Sequence, residues 1–129
     1  MNIRMRINRW TEARRTLIHD PSIRSSLIQP HFIVEGEGIN LEIESMPGIF
    51  QQSVDIMVKT IANDMKSGIH NHMFFPVLDA SEKDAMASAA SSDEMPLQRV
   101  VKLLRQQFGD TIVLLSDVCL CTATIDGHC

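Results

Sequence analysis

Two kinds of apolar segment alternate along this chain, and their order constrains the fold more than any other feature. Two segments, one after Ser53 and one after Pro96, carry apolar residues every three or four positions, as amphipathic helices do. Three nearly continuous apolar runs are typical of buried strands: Leu27–Val34, His70–Leu78 and Thr111–Leu115. The order strand, helix, strand, helix, strand predicts a parallel α/β sheet with helices on its faces.

Other segments give weaker signals. The alternation of apolar and polar residues over Ile39–Ser45 predicts a short, half-exposed strand. Residues 79–95 are rich in Ala, Ser, Asp and Glu without clear periodicity, so we expect a loop or a weak helix there. Pro30 argues against a strand interior, because proline cannot donate a hydrogen bond to a neighbouring strand.

Charge is distributed unevenly along the sequence. Residues 1–24 contain six arginines against Glu12 and Asp20, whereas the chain as a whole has a net charge of −4. We therefore divide it into a basic N-terminal arm, 1–24, and a body, 25–129. Such an arm suits the acidic surface of a partner subunit, although a solvated tail is the main alternative. Trp10 is its only aromatic residue, which argues against binding of single-stranded nucleic acid.

Composition narrows the class of protein. A chain of 129 residues that is 44% hydrophobic and 22% charged fits one globular domain. No apolar run is long enough to cross a bilayer, and the arginine-containing start does not resemble a secretory signal peptide. These features predict a cytoplasmic protein without a membrane partner. The odd count of three cysteines argues against a disulfide framework.

The three cysteines, Cys119, Cys121 and Cys129, all lie within the last eleven residues. If the third strand continues through Cys121, its two-residue period points the first two thiols to the same side. A turn at Asp126-Gly127 then brings Cys129 back toward them. Three soft ligands favour Zn²⁺ over magnesium or calcium and leave one coordination position open. The alternative is a set of free structural or redox cysteines, since the C-x-C spacing is short.

The histidines give a weaker signal. His128 is a possible fourth ligand, but a role in the loop or beside the ligands fits its position better. The dispersed residues His19, His31, His70 and His72 are expected to be ordinary surface or strand-edge residues.

Several segments, in this order, resemble the porphobilinogen synthase (5-aminolevulinate dehydratase) family. The most specific are Ser45-Met46-Pro47-Gly48 and the pair Asp117-Val118-Cys119-Leu120-Cys121 and Gly127-His128-Cys129. The others are Leu27–Gly36, Ser53-Val54-Asp55, Phe75-Pro76 and Lys83-Asp84. The ending is similar to the zinc-dependent branch, although Ala123 stands where the family usually has a tyrosine.

The resemblance implies a TIM (β/α)₈ barrel preceded by an arm that embraces a neighbouring subunit in a homo-octamer. It implies an enzyme of tetrapyrrole (heme) biosynthesis that condenses two molecules of 5-aminolevulinate into porphobilinogen. Cys119, Cys121 and Cys129 correspond to the ligands of the active-site zinc, and Asp117 corresponds to an active-site carboxylate.

A TIM barrel takes about 250 residues, so we expect this chain to be an N-terminal fragment with about three of the eight strands. The family's Schiff-base lysines would lie beyond residue 129, and such a fragment would be inactive alone. Lys59, Lys66, Lys83 and Lys102 fall in or beside helices and do not replace them. The alternative is a non-catalytic zinc-binding or assembly module derived from the same fold.

Overall fold

A five-stranded sheet forms the centre of the protein in a computed structural model that describes residues 6–19 and 23–129. The strands are β1 (Ile28–Ile33), β2 (Asn40–Glu42), β3 (Phe50–Gln52), β4 (Asn71–Pro76) and β5 (Val113–Ser116). Along the sheet they follow the order β2-β3-β1-β4-β5. Neighbouring strands are parallel except β2, which is antiparallel to β3. The predicted parallel α/β architecture is confirmed.

Two long helices connect the three predicted strands. Helix α3 (Val54–Lys66) joins the β1–β3 region to β4, and helix α4 (Pro96–Phe108) joins β4 to β5. Both match the predicted amphipathic segments. Two shorter helices, α1 (Glu12–His19) and α2 (Ile23–Ser26), lie in or overlap the basic arm, where no helix was expected. No helix in the described parts of the chain is long and apolar enough to cross a membrane.

The helices bury one face of the sheet. Side chains from β1, β4, α3 and α4 and the residue before β5 meet there in a single fully buried cluster: Ile33, Met57, Ile61, Phe74, Val100, Leu104 and Ile112. Burial of such side chains supplies about 1.5–3 kcal/mol each. The hydrophobic periodicity of the sequence therefore corresponds to a real helix–sheet interface.

Pro30 lies inside β1, contrary to the objection raised above. The backbone N–H of Val34 donates to the carbonyl of Gln52 in β3. Every second residue back along β1, including Pro30, therefore also directs its backbone nitrogen toward β3. Strand β3 pairs with β1 only at Phe32 and Ile33. The nitrogen that lacks a proton therefore faces a stretch that β3 does not reach, and no hydrogen bond to β3 is lost there.

The residue at the start of α3 bonds through its side chain to the neighbouring hairpin rather than to the helix backbone. Ser53 occupies the N-cap position of α3, but its hydroxyl makes no capping bond to the helix backbone. It instead accepts a hydrogen bond from the N–H of Ile39 at 2.9 Å and donates one to Asp55 Oδ1 at 2.5 Å. Ser53 thus joins the start of the helix to the β2 hairpin.

Residues 79–95 contain only short 3₁₀ turns at Ala80–Glu82 and Ser88–Ser91, as expected for a loop or weak helix. This segment packs on the cysteine-bearing loop through a second small cluster of buried residues: Leu78, Ala87, Met95 and Ala123.

Candidate metal centre

The segment that carries the cysteines is a loop rather than a continuation of the last strand. Strand β5 ends at Ser116, and residues 121–123 form a turn in which the N–H of Ala123 donates to the carbonyl of Leu120 at 2.9 Å. The hypothesis that the strand continues through Cys121 is therefore wrong. The turn takes up the backbone groups that a strand would have presented to a neighbour.

The loop nevertheless brings the three sulfurs together. Cys121 Sγ lies 3.3 Å from Cys129 Sγ, and Cys119 Sγ lies 3.9 Å from Cys129 Sγ. All three sulfurs lie within 4.8 Å of one another, and all three cysteines are free thiols. The sulfur of Cys119 also accepts a hydrogen bond from the backbone N–H of Cys121 at 3.4 Å.

A turn at the predicted position returns Cys129 to the other two cysteines. Gly127 adopts a φ of +71°, a left-handed conformation that favours glycine, and its N–H donates to the carbonyl of Thr124 at 3.4 Å. The side chain of Asp126 accepts a hydrogen bond from the N–H of His128 at 3.3 Å. His128 itself is exposed and does not belong to the group of sulfurs.

The thiols influence one another's ionisation. Hydrogen bonds to Cys119 and Cys129 raise the pKa of Cys121 to about 11, because ionisation removes the proton that makes them; the negative charge of ionised neighbours adds a smaller contribution. Hydrogen bonds from Cys121 and Cys119 lower the pKa of Cys129. The cluster therefore favours one thiolate, at Cys129, that accepts hydrogen bonds from the remaining S–H groups.

The donor set fits Zn²⁺. Tetrahedral zinc with Zn–S bonds of about 2.3 Å places its sulfurs about 3.8 Å apart, and the observed separations of 3.3 and 3.9 Å lie on either side of that value. Thiolate sulfur is a soft ligand that zinc accepts and that magnesium and calcium do not.

The 79–95 segment holds the loop in position. The backbone N–H of Asp84 donates to the carbonyl of Ala123 at 3.2 Å, and Asp84 forms a parallel bridge with Thr124. The carboxylate of Asp84 accepts hydrogen bonds from the N–H groups of Met86 at 2.8 Å and Ser88 at 3.0 Å, which lower its pKa. Ala123 is fully buried, so a tyrosine at that position would need space that the second cluster now fills.

Asp117 is exposed and lies directly after β5, at the carboxyl end of the parallel strands. In parallel α/β folds the functional side chains gather at this edge. The four lysines belong to other parts of the molecule: Lys59 and Lys66 lie on α3, Lys102 lies on α4, and Lys83 lies in the 79–95 segment. None of them belongs to the cysteine loop.

Two of the histidines are not surface residues, contrary to the prediction. His31 and His72 are 4% and 0% exposed, and their ring nitrogens Nε2 and Nδ1 lie 3.0 Å apart. His19 and His70 are exposed as expected. The sequence did contain a sign of the buried pair. His31 lies on the same face of β1 as Ile33, and His72 lies on the same face of β4 as Phe74, so each histidine shares a face with a core residue.

Comparisons with known proteins all match this chain to one family. The sequence profile of the family described as delta-aminolevulinic acid dehydratase matches residues 2–129. A delta-aminolevulinic acid dehydratase of Halalkalibacterium halodurans is 33% identical over 122 residues, which cover 94% of this chain and 36% of that protein. The corresponding protein of Streptomyces coelicolor is 31% identical over 122 residues, covering 94% of this chain and 37% of that protein.

A solved structure agrees with these relatives. The delta-aminolevulinic acid dehydratase (porphobilinogen synthase) of Toxoplasma gondii, in complex with the reaction product porphobilinogen, superposes with a TM-score of 0.75 at 32% identity. The match covers 96% of this chain and 35% of that one. The parallel strands and their helices thus correspond to part of a TIM barrel, and this chain spans about 36% of the length of the relatives it matches.

Proposed function

This chain belongs to the delta-aminolevulinic acid dehydratase family, and from that membership we propose that it forms the N-terminal portion of a porphobilinogen synthase. The intact enzyme condenses two molecules of 5-aminolevulinate into porphobilinogen. The observation that carries this proposal is the group of three sulfurs within 4.8 Å of one another, just beyond the last strand of a partial barrel.

Cys119, Cys121 and Cys129 hold a Zn²⁺ ion in this proposal. A zinc ion held by these three ligands would keep one position open and, as a Lewis acid, would polarise a carbonyl or bind an amine of the substrate. The thiols supply negative charge to the site once they lose their protons. Cys129 is the first to do so, because its pKa is lowered by hydrogen bonds from the other two.

Asp117 acts on the substrate side of the site. Its carboxylate is exposed and two residues from Cys119, at the edge where the parallel strands end. A carboxylate there accepts hydrogen bonds from the ammonium group of 5-aminolevulinate and orients it. Its role is to position a substrate amine near the cysteine cluster.

The covalent part of the reaction needs a lysine that this chain does not supply. A lysine amine condenses with a substrate ketone to give an imine, which divides a difficult step into easier ones. Lys59, Lys66 and Lys102 project from α3 and α4 as exposed side chains. The Schiff-base lysines therefore belong to the remainder of the intact enzyme, and residues 1–129 alone are inactive.

We also propose how the intact protein assembles and where it is located. The intact protein is a cytoplasmic homo-octamer, and the basic arm, residues 1–24, contacts a neighbouring subunit. The arm suits such a contact because it is basic while the rest of the chain is acidic, and because Trp10 is 77% exposed.

The test is an assay of the intact protein with 5-aminolevulinate before and after removal of metal by a chelator. We expect porphobilinogen formation to stop on chelation and to return when zinc is added. The double variant Cys119→Ser/Cys121→Ser should not recover, whereas Thr122→Ser in the same loop should. Failure of the intact protein to form porphobilinogen under any metal condition would favour a non-catalytic zinc-binding module.

Borohydride reduction in the presence of 5-aminolevulinate tests the assignment of the covalent step. Peptide mapping should find the adduct outside residues 1–129, and these residues expressed alone should yield no product. A specific adduct on Lys59, Lys66, Lys83 or Lys102, accompanied by turnover, would overturn the proposal that the Schiff base forms elsewhere.

A further inference from the structure

A second group of metal-binding side chains lies between the sheet and α3, away from the cysteine loop. It consists of His31 on β1, His72 on β4 and Asp64 on α3. A ring nitrogen of each histidine and a carboxylate oxygen of Asp64 all lie within 4.8 Å of one another. The three residues therefore join three separate elements of the fold at one point.

The group is buried. His31 and His72 are 4% and 0% exposed. His31 also stacks on Phe74, with 5.5 Å between the ring centroids. Asp64 retains 24% of its side-chain exposure, but its Oδ2, which lies 3.9 Å from His31 Nε2, is buried. Buried polar groups of this kind are normally satisfied by hydrogen bonds or by a metal.

Hydrogen bonds within the group leave it incomplete. His31 Nε2 and His72 Nδ1 share one hydrogen bond of 3.0 Å. Asp64 Oδ2 lies 3.9 Å from His31 Nε2, which is too far for a hydrogen bond. Asp64 Oδ2 and His72 Nε2 are both buried without a hydrogen-bond partner in the described structure. A network built only of these side chains therefore leaves two polar atoms unpaired.

A cation between the three residues would replace the hydrogen bond between the two rings and would give the carboxylate of Asp64 a partner. A neutral imidazole carries one lone pair, and that lone pair can be placed on either ring nitrogen by moving the proton to the other. Burial keeps both rings neutral, because it lowers the pKa of His31 to about 3 and that of His72 to about 4. Asp64 supplies the single negative charge.

We propose that His31, Asp64 and His72 form a second, structural site for a divalent first-row transition ion of the Zn²⁺ class, which joins β1, β4 and α3. Two imidazoles and one carboxylate suit zinc and its neighbours, whereas calcium and magnesium prefer ligands that are all oxygen. The site is independent of the cysteine cluster and of the proposed enzymatic activity.

The test uses Co²⁺ as the probe in the intact protein with Cys119, Cys121 and Cys129 all replaced by serine. This background removes the proposed sulfur site, so that failure of one site does not hide the other. We expect this background to bind one equivalent of Co²⁺. The equivalent should be lost when Asp64→Asn or His31→Leu is added. Its spectrum should lack thiolate charge-transfer bands. The control His70→Asn, at an exposed histidine two residues before His72, should keep that equivalent.

Equal Co²⁺ content in the cysteine-free background and its Asp64→Asn and His31→Leu derivatives would overturn the proposal, and so would the absence of bound Co²⁺ in that background. X-ray absorption of the zinc-loaded parent protein covers the case in which a substituted chain fails to fold. In the parent spectrum we expect some of the zinc to have imidazole nitrogen and oxygen neighbours. That contribution should be missing from the spectrum of the more conservative variant His72→Gln. A spectrum with sulfur neighbours alone would overturn the second site.

Discussion

The sulfur of Cys121 lies 3.3 Å from the sulfur of Cys129, although the two residues are eight positions apart in the chain. The turn at residues 121–123 and the reversal at Gly127 produce this contact without help from a regular strand. The conformation of the loop alone therefore brings the thiols together as one group.

The first prediction concerns zinc content. Replacement of Cys119 and Cys121 with serine should remove about one zinc ion per chain, because the serine hydroxyl is a much weaker zinc ligand than thiolate. Elemental analysis after dialysis measures the loss, with Thr122→Ser as the control. Zinc should also be released on acidification, since protons compete for the thiolates. Equal zinc content in the double variant and its parent would exclude the site.

The second prediction concerns Asp84, which touches none of the sulfurs. Its carboxylate holds the turn over residues 84–88 through the N–H groups of Met86 and Ser88, and its own N–H holds Ala123. Asp84→Ala should loosen the support of the cysteine loop and weaken zinc binding about tenfold while leaving all three ligands in place. Asp84→Asn, which keeps one acceptor oxygen, should have a smaller effect.

Competition with a chromogenic chelator measures this change in zinc affinity. An affinity for zinc that is the same in Asp84→Ala and in the parent protein would show that the cysteine loop holds its shape without the 79–95 segment.

The third prediction concerns the pH dependence of stability in protein freed of metal. Burial lowers the pKa of His31 to about 3 and that of His72 to about 4, below their ordinary value of 6.5. The unfolded chain therefore binds more protons than the folded chain in this range. The contribution of the two neutral rings is complete above about pH 6.5 and is lost as the pH falls toward 4.

Since one pKa unit corresponds to about 1.4 kcal/mol, we expect the free energy of unfolding to fall by a few kcal/mol over that range. Denaturant titrations at several pH values measure it. Burial raises the pKa of Asp64 and acts in the opposite direction, so the titrations are best repeated in Asp64→Asn. His31→Leu should flatten the profile, and His70→Asn should not. A parent profile that is flat between pH 6.5 and 4 would contradict the burial of neutral rings.

The fourth prediction concerns the basic arm. Deletion of residues 1–20 should lower the association state of the intact protein, because it removes basic groups together with exposed apolar side chains such as Trp10 and Ile18. Sedimentation measures the association state, and zinc content serves as the control because the cysteine loop is untouched. If the truncated protein sediments as the same oligomer, the arm does not serve subunit contact.

The sequence was most informative where burial is strongest. Strands β1, β4 and β5 and the helices α3 and α4 were predicted because apolar residues in or beside them meet in one buried cluster, and burial leaves a clear pattern in the sequence. Strand β3 was missed because Phe50–Gln52 is only three residues long, too short for any period to be recognised. Its place in the sheet is determined by pairing with β1, which is a long-range contact.

The two groups of candidate ligands illustrate the same limit. The cysteines were recognisable because they are close in sequence, although the geometry expected of them, a continuous strand, was wrong. His31, Asp64 and His72 are far apart in sequence and belong to three elements, so only the packing of α3 on the sheet brings them together. A polar residue on the apolar face of a strand was the one available sign.

The local origin of the cysteine group also bears on the order of events during synthesis. All three sulfurs come from residues 119–129, so their assembly needs closure of a loop of about ten residues, which unfolded chains accomplish in about 10–100 ns. The contacts that complete a barrel require far more distant parts of a chain to meet. We therefore expect a nascent chain to be able to capture metal soon after residue 129 has left the ribosome, before such distant contacts form.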